Sequence, residues 1–357
     1  MSFDPIEFLE TAVETPSTES VTEMRELVRE TLEANGETVR IDDAGNLLAD
    51  KGSGEPRIVL NTHLDTVPPH HPLERTETEI RGRGSCDAKG PLAAILAAFL
   101  RTEPETGRLT LALTPDEERE STGAAALELD ADGFIVGEPT GLDVCVAARG
   151  RFQGTVHLGG RGAHAATPES GVNAISGLKD AIAGLESYDD EHGPATHPRL
   201  GAPTLTPTLV SGGEATNRIP SEATLTIDRR SVPPERAPEF FESLQTHLRS
   251  VVSEDLTVAV QPAERETPFL EGFETDADAA VSQALVAAGA GEPRTFGAAT
   301  EAAYFASMAP TVVFGPGVLA DEQGPVAHGE REYVPIDAVR QAGAILTDGL
   351  ETLLVAE

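Results

Sequence analysis

Three short apolar runs, Arg57–Asn61, Leu109–Thr114 and Phe134–Val136, are each followed within a few residues by histidine or acid: His63 and Asp65, then Glu117 and Glu118, then Glu138. Apolar runs this short, without alternation, read as strands covered on both faces, as in a parallel sheet. The carboxyl ends of neighbouring parallel strands lie along one edge, so groups scattered through the chain can converge there. Asp87, in a glycine-rich turn, and His328 complete a set of seven oxygen and imidazole side chains, the kind of set that holds a pair of metal ions.

The remaining texture supports an α/β reading. Helical spacing runs from Val21 to Leu32, headed by the capping-box pattern Ser20-Val21-Thr22-Glu23 and stopped at Asn35-Gly36. Short strands are expected at Thr38–Ile41 and Asn46–Ala49, a buried helix at Pro91–Leu100, and a further strand at Val144–Ala148. Around Arg149-Gly150 the pattern changes. Phe152–Leu158 and Ala223–Asp228 alternate, Asn173–Ala183 and Pro234–Val251 are helical, and Leu256–Val260 closes a β-α-β-β-α-β-like unit of the ferredoxin-like kind. From about Pro268 the first texture returns, with helices near Asp276–Ala288 and Ile336–Leu354 around the strand Thr311–Phe314. The expected organisation is one mixed-sheet α/β/α domain over residues 1–149 and 264–357, interrupted by an α+β domain over 150–263.

Composition excludes several classes of function. Of the 357 residues, 60 are Asp or Glu against 26 Lys or Arg, a net charge of −34, so neither nucleic acid nor an anionic membrane is an expected partner. Lys51, Lys89 and Lys179 are the only lysines, and an acidic, lysine-poor surface suggests adaptation to high salt, where counterions screen self-repulsion. Two cysteines, Cys86 and Cys145, make no disulfide framework. No long apolar run and no basic segment at Met1-Ser2-Phe3-Asp4 is present, and the default expectation is a cytoplasmic, unanchored protein.

Asp87 follows Gly82-Arg83-Gly84-Ser85-Cys86, where glycines allow a sharp bend that aims one carboxylate with both oxygens available to bridge two ions. The adjacent Glu117 and Glu118 follow Pro115-Asp116 at a strand end, where neighbouring side chains diverge; one can ligate while the other reaches a water. His70, His71, His157, His192 and His197 pair with no chemistry and read as surface or packing residues.

These motifs resemble a known family. His63-Leu64-Asp65-Thr66-Val67-Pro68, Gly82-Arg83-Gly84-Ser85-Cys86-Asp87-Ala88-Lys89-Gly90, Pro115-Asp116-Glu117-Glu118, Gly137-Glu138-Pro139-Thr140 and Ala327-His328 are similar, in order, to segments of the co-catalytic zinc metallopeptidases that include acetylornithine deacetylase, succinyl-diaminopimelate desuccinylase, aminoacylase and glutamate carboxypeptidase. The resemblance implies two Zn²⁺, replaceable by Co²⁺ or Mn²⁺, one on His63 and Glu138, the other on Glu118 and His328, with Asp87 between them. It implies that Asp65 fixes the tautomer of His63 and that Glu117 is the general base.

In the inserted segment, Gly162-Ala163-His164-Ala165 and Gly171-Val172-Asn173-Ala174-Ile175 look like the family's lid motif, which implies that His164 stabilises an oxyanion and that the insert is a lid and a possible homodimer surface. Asn217-Arg218-Ile219-Pro220 and Asp228-Arg229-Arg230 resemble carboxylate-holding segments, with Arg230 as the fork. Thr300-Glu301-Ala302-Ala303-Tyr304-Phe305 looks like the acetylornithine deacetylase version of its segment. Thr300 and Glu301 are thus substrate candidates, Glu301 facing a cationic substrate group or else lying on the surface. After His328 the family's usual Asn or Asp is Arg331, followed by the expected Glu332. The implied activity removes an acyl group from a small N-acyl amino acid, acetylornithine-like, with desuccinylase, dipeptidase or carboxypeptidase action on a short peptide as the alternatives. A non-catalytic metal-binding protein is disfavoured by Glu117, which binding alone does not need.

Overall fold

The computed structural model describes residues 3–355; Met1 and Ser2, part of the stretch in which the sequence shows no basic segment, lie outside it. The chain divides into two compact units, one comprising the segments up to Ala147 and from Glu274 onward, the other Ala148–Phe273. The return to the first unit comes at Phe273 instead of the expected residue 263. The intervening stretch stays with the inserted unit because Arg151 N–H bonds to Leu270 O at 2.8 Å and the Phe269 ring packs against Phe152 and Phe241, 5.8 and 5.6 Å between centroids.

In the first unit the middle of a nine-stranded sheet is parallel: Gly107–Thr114, Arg57–His63, Gly133–Val136 and Thr311–Val313 lie side by side in that order. Register pairs His63 with Thr114 and Asn61 with Val136. Residues just beyond these strand ends therefore emerge at one edge, as the apolar runs require. Leu47–Ser53 and Val39–Ile41 extend the sheet antiparallel. The helix Lys89–Arg101 is buried from Lys89 to Phe99, since it has the sheet on one side and the helices Pro5–Glu14 and Ile336–Leu353 on others. Its alanines make close approach possible: a Cβ added at Gly343 would stand 3.4 Å from that of Ala97.

Two local readings change. The helix headed by Ser20 begins at Thr22, and the Ser20 hydroxyl accepts the Thr22 N–H at 3.2 Å, so the capping box does not form. An amino-terminal helix, Pro5–Glu14, is capped by Asp4, whose carboxylate accepts the Ile6 N–H at 2.8 Å.

The second unit has a four-stranded antiparallel sheet in the order Thr204–Gly212, Glu222–Arg230, Phe152–Gly159, Thr257–Pro262. Helices Ala174–His192 and Ala237–Val251 cover the face presented by Phe152, Val156, Leu158, Leu225, Ile227 and Val258. Chain order gives β-α-β-β-α-β. The edge strand Thr204–Gly212 escapes the sequence patterns because it has no buried face, contains Pro207 and slips register between Pro207 and Leu209. Arg229 is wholly enclosed here, its guanidinium bonded to Glu235 at 2.6 and 2.8 Å and to Asp189 at 2.7 Å, between the rings of Phe240 and Tyr188.

Candidate metal centre

The strand ends bring several of these side chains together. His63 ends its strand and is 1% exposed; its Nε2 lies 3.1 Å from Asp87 Oδ1. His328 Nε2 lies 3.3 Å from the other Asp87 oxygen and 2.8 Å from Glu118 Oε1. Asp87 thus faces a different histidine with each of its oxygens. His63, Asp87 and Glu138 offer ligand atoms within 4.8 Å of one another, as do Asp87, Glu118 and His328, and His63, Glu117 and Glu118.

Positioning is local. Gly84 has φ +83°, and a Cβ there would stand 2.7 Å from Thr66 Cγ2 and 2.8 Å from Lys89 Cδ, so the turn before Asp87 needs glycine both for conformation and for space. His328 adopts φ +62°, a left-handed conformation uncommon for a side-chain-bearing residue; Arg83 Nη2 holds its carbonyl at 3.3 Å. His63 Nδ1 is 3.0 Å from the Asp65 carbonyl and 3.3 Å from Asp65 Oδ1. The Asp65 carboxylate also organises backbone, since its oxygens accept the Glu117 and Glu118 N–H groups at 3.0 and 3.1 Å and so tie the glutamate pair to the His63 strand.

The centre is short of positive charge. Burial would push the His63 imidazolium down, yet hydrogen bonds to Asp65 and Asp87 outweigh it and hold the ring well above its ordinary pKa. Hydrogen bonds to Asp87 and Glu118 raise His328 to about 10. Burial raises Glu117, Glu118 and Glu138, reinforced at Glu117 by the Glu138, Glu118 and Glu301 charges and at Glu138 by Asp87. Burial likewise pushes Asp87 up, but its two histidine partners depress it below the usual carboxylate range. Protonated imidazoles and neutralised glutamates are two ways of cancelling the same excess negative charge. A divalent cation on each side of Asp87 would cancel it directly, and a donor set of imidazole and carboxylate without sulfur fits such ions.

Other candidates fall differently. Thr300, read as a substrate contact, instead donates its hydroxyl to Glu138 Oε1 at 2.9 Å. Glu301 is not on the surface: it is fully buried, accepts the Thr114 hydroxyl at 2.6 Å, and burial lifts it to about 7. The surface alternative for Glu301 is thereby overturned. Arg331, standing where the family has Asn or Asp, pairs with Asp321 at 2.8 Å. Glu332 and Arg83 are the positioning residues whose importance sequence reasoning missed. Glu332 Oε1 accepts the Cys86 and Asp87 N–H groups, both at 3.1 Å, and its other oxygen meets Arg83. An arginine four residues before Asp87, in a turn otherwise glycine and small, was the available signal.

His164, Asn217 and Arg230 belong to the second unit. His164 is exposed, pairs in a short ribbon with Arg218, and accepts the Ala166 N–H on Nδ1; the Asn217 carbonyl accepts the Ala165 N–H at 2.9 Å. Those two are neighbours. Arg230 lies at the far end of the strand Glu222–Arg230, its Nε bonded to Asp228 at 2.7 Å.

A buried carboxylate shared between two His-acid pairs at the edge of a parallel sheet defines a metallohydrolase centre, and the comparisons with known proteins agree. The model of peptidase family M20/M25/M40 matches residues 59–352, and the chain belongs to that family. A Pyrobaculum aerophilum protein named as a LysW-lysine/LysW-ornithine hydrolase is 34% identical over 332 residues, 88% of this chain and 87% of that one. The acetylornithine deacetylase of Myxococcus xanthus is 33% identical over 338 residues, 86% and 84% of the two chains. Aminopeptidase PepT from Bacillus cereus shares the fold with TM-score 0.79 at 20% identity, over 98% of both chains. The Bacillus subtilis YXEP protein, described as a dinuclear metal binding peptidase from the M20 family, shares it with TM-score 0.73 at 14% identity, over 98% and 97%.

Proposed function

We propose that this metallohydrolase cleaves the amide of an N-acyl amino acid, of the acetylornithine type, at a pair of zinc ions. The observation that carries the reading is the placement of Asp87 between His63 and His328. His63 and Glu138 would hold one ion, Glu118 and His328 the other, and Asp87 both. Bound there, two cations would polarise the scissile carbonyl and acidify a water.

The chain's own residues supply the rest. Glu117, half-buried, with its proton affinity raised by desolvation and by the neighbouring Glu138, Glu118 and Glu301 charges, takes the proton from the attacking water and returns it to the leaving amine. Asp65 keeps His63 in one orientation and holds the backbone that presents Glu117. His164 supplies a donor to the developing oxyanion, and Arg230, steadied by Asp228, is the fork for the substrate carboxylate.

The relatives named for acetylornithine and for LysW-ornithine share ornithine as the group released, which favours an ornithine-like amine product over a desuccinylase or dipeptidase reading. The discriminating experiment assays zinc-loaded protein in molar salt against N-acetylornithine, LysW-ornithine, N-succinyl-diaminopimelate and dipeptides; preference for either of the last two would overturn the reading. The exposed edge strand with Leu209 and Val210, 69% and 65% exposed, supports a homodimer through the inserted unit. The acidic composition supports a high-salt setting, and two buried cysteines outside any disulfide support a reducing, cytoplasmic one.

A further inference from the structure

We propose that the inserted unit carries a transition-metal site of its own, built from Glu191, His192 and His247 and independent of the catalytic centre. Glu191 and His192 end the helix Ala174–His192, and His247 projects from the adjacent helix Ala237–Val251. His247 is 3% exposed, and its Nε2 lies 2.9 Å from the Gly184 carbonyl. A carbonyl only accepts, so Nε2 carries the hydrogen and the neutral ring presents the Nδ1 lone pair. That is the tautomer a ligating histidine needs, with its outer nitrogen anchored to backbone. The Tyr188 ring, edge-on at 5.8 Å and 72°, fixes the imidazole plane.

His247 Nδ1 stands 3.8 Å from Glu191 Oε2, and the same oxygen stands 3.9 Å from His192 Nε2. These separations are too long for direct hydrogen bonds. They are, however, within the span of one ion bound through two bonds of about 2.0–2.2 Å. The His192 and His247 rings, 5.0 Å apart at 71°, turn different edges toward this point, and all three ligand atoms lie within 4.8 Å of one another. A cation there would also sit near a helix carboxyl terminus in a chain of net charge −34. Two imidazoles and one carboxylate select Zn²⁺ or Ni²⁺ over Mg²⁺ or Ca²⁺. The ion would tie the last turn of one helix to its neighbour.

The test compares metal content. Full-length protein is stripped with chelator, dialysed against Zn²⁺ in molar KCl, and its zinc counted beside His192→Ala and Glu191→Gln, both at exposed positions. The expected result is one ion fewer per chain in each variant, with amide hydrolysis unchanged. Because the readout is a difference from wild type, it holds whatever the catalytic centre binds. Equal zinc content in wild type and variants, or displacement of that ion by millimolar Mg²⁺, would overturn the proposal.

Discussion

Arg83 and Glu332 form an ion pair, Nη1 to Oε2 at 2.5 Å, with their side chains 2% and 1% exposed. The pair joins the two halves of the centre: Glu332 holds the backbone of Asp87, and Arg83 holds the carbonyl of His328. Replacing Glu332 with Gln keeps the shape and leaves the guanidinium without its counter-charge. We expect a stability loss of about 3–5 kcal/mol by denaturant unfolding and a roughly 10–100-fold weaker metal affinity by titration. A variant with unchanged metal affinity would show that the pair only supports the fold.

Glu117→Gln should retain the metal content of wild type and lose turnover by about 10²–10⁴-fold. A kcat near wild type in that variant removes Glu117 from proton transfer.

Glu301 gives a pH dependence whose sign is fixed. Its pKa rises from 4.5 to about 7 on folding, so between those values the native state binds more protons than the unfolded one. Stability therefore falls as pH rises through this window, by an amount on the order of 3 kcal/mol for full burial. Glu301→Gln should flatten that part of the stability curve and leave the variant more stable than wild type above pH ~7. Parallel curves for the two proteins would contradict the assignment.

The edge strand and the surface charge give two solution tests. Val210→Asp, on an exposed position of that strand, should shift the molecular mass by light scattering from dimer to monomer; a monomeric wild type would end the dimer reading. Lowering KCl from molar to about 0.1 M, where the screening length grows to ~10 Å, should lower the unfolding temperature. An unchanged midpoint would argue against salt adaptation.

Much of the centre was legible because His63, Glu118 and Glu138 lie at or just past the ends of apolar strands and Asp87 in a glycine turn, and strand ends of a parallel sheet converge by construction; His328 has no such local signal. The burial of Glu301 was not legible because a sequence shows which segment approaches the site but not which side chains turn inward. Thr300 faces Glu138 and Glu301 faces Thr114. The strand Thr204–Gly212 lacked the alternation that burial imposes, and burial is the signal periodicity reads. The Arg83–Glu332 pair spans 249 positions, and no local pattern reports a partner at that distance.

The central claim is that the Asp87 carboxylate lies between two bound cations. Anomalous diffraction from zinc-soaked crystals, measured on both sides of the zinc absorption edge, tests it most directly. The account predicts two peaks flanking Asp87, one against His63 and Glu138 and one against Glu118 and His328. A single peak there, or none touching Asp87, would contradict it.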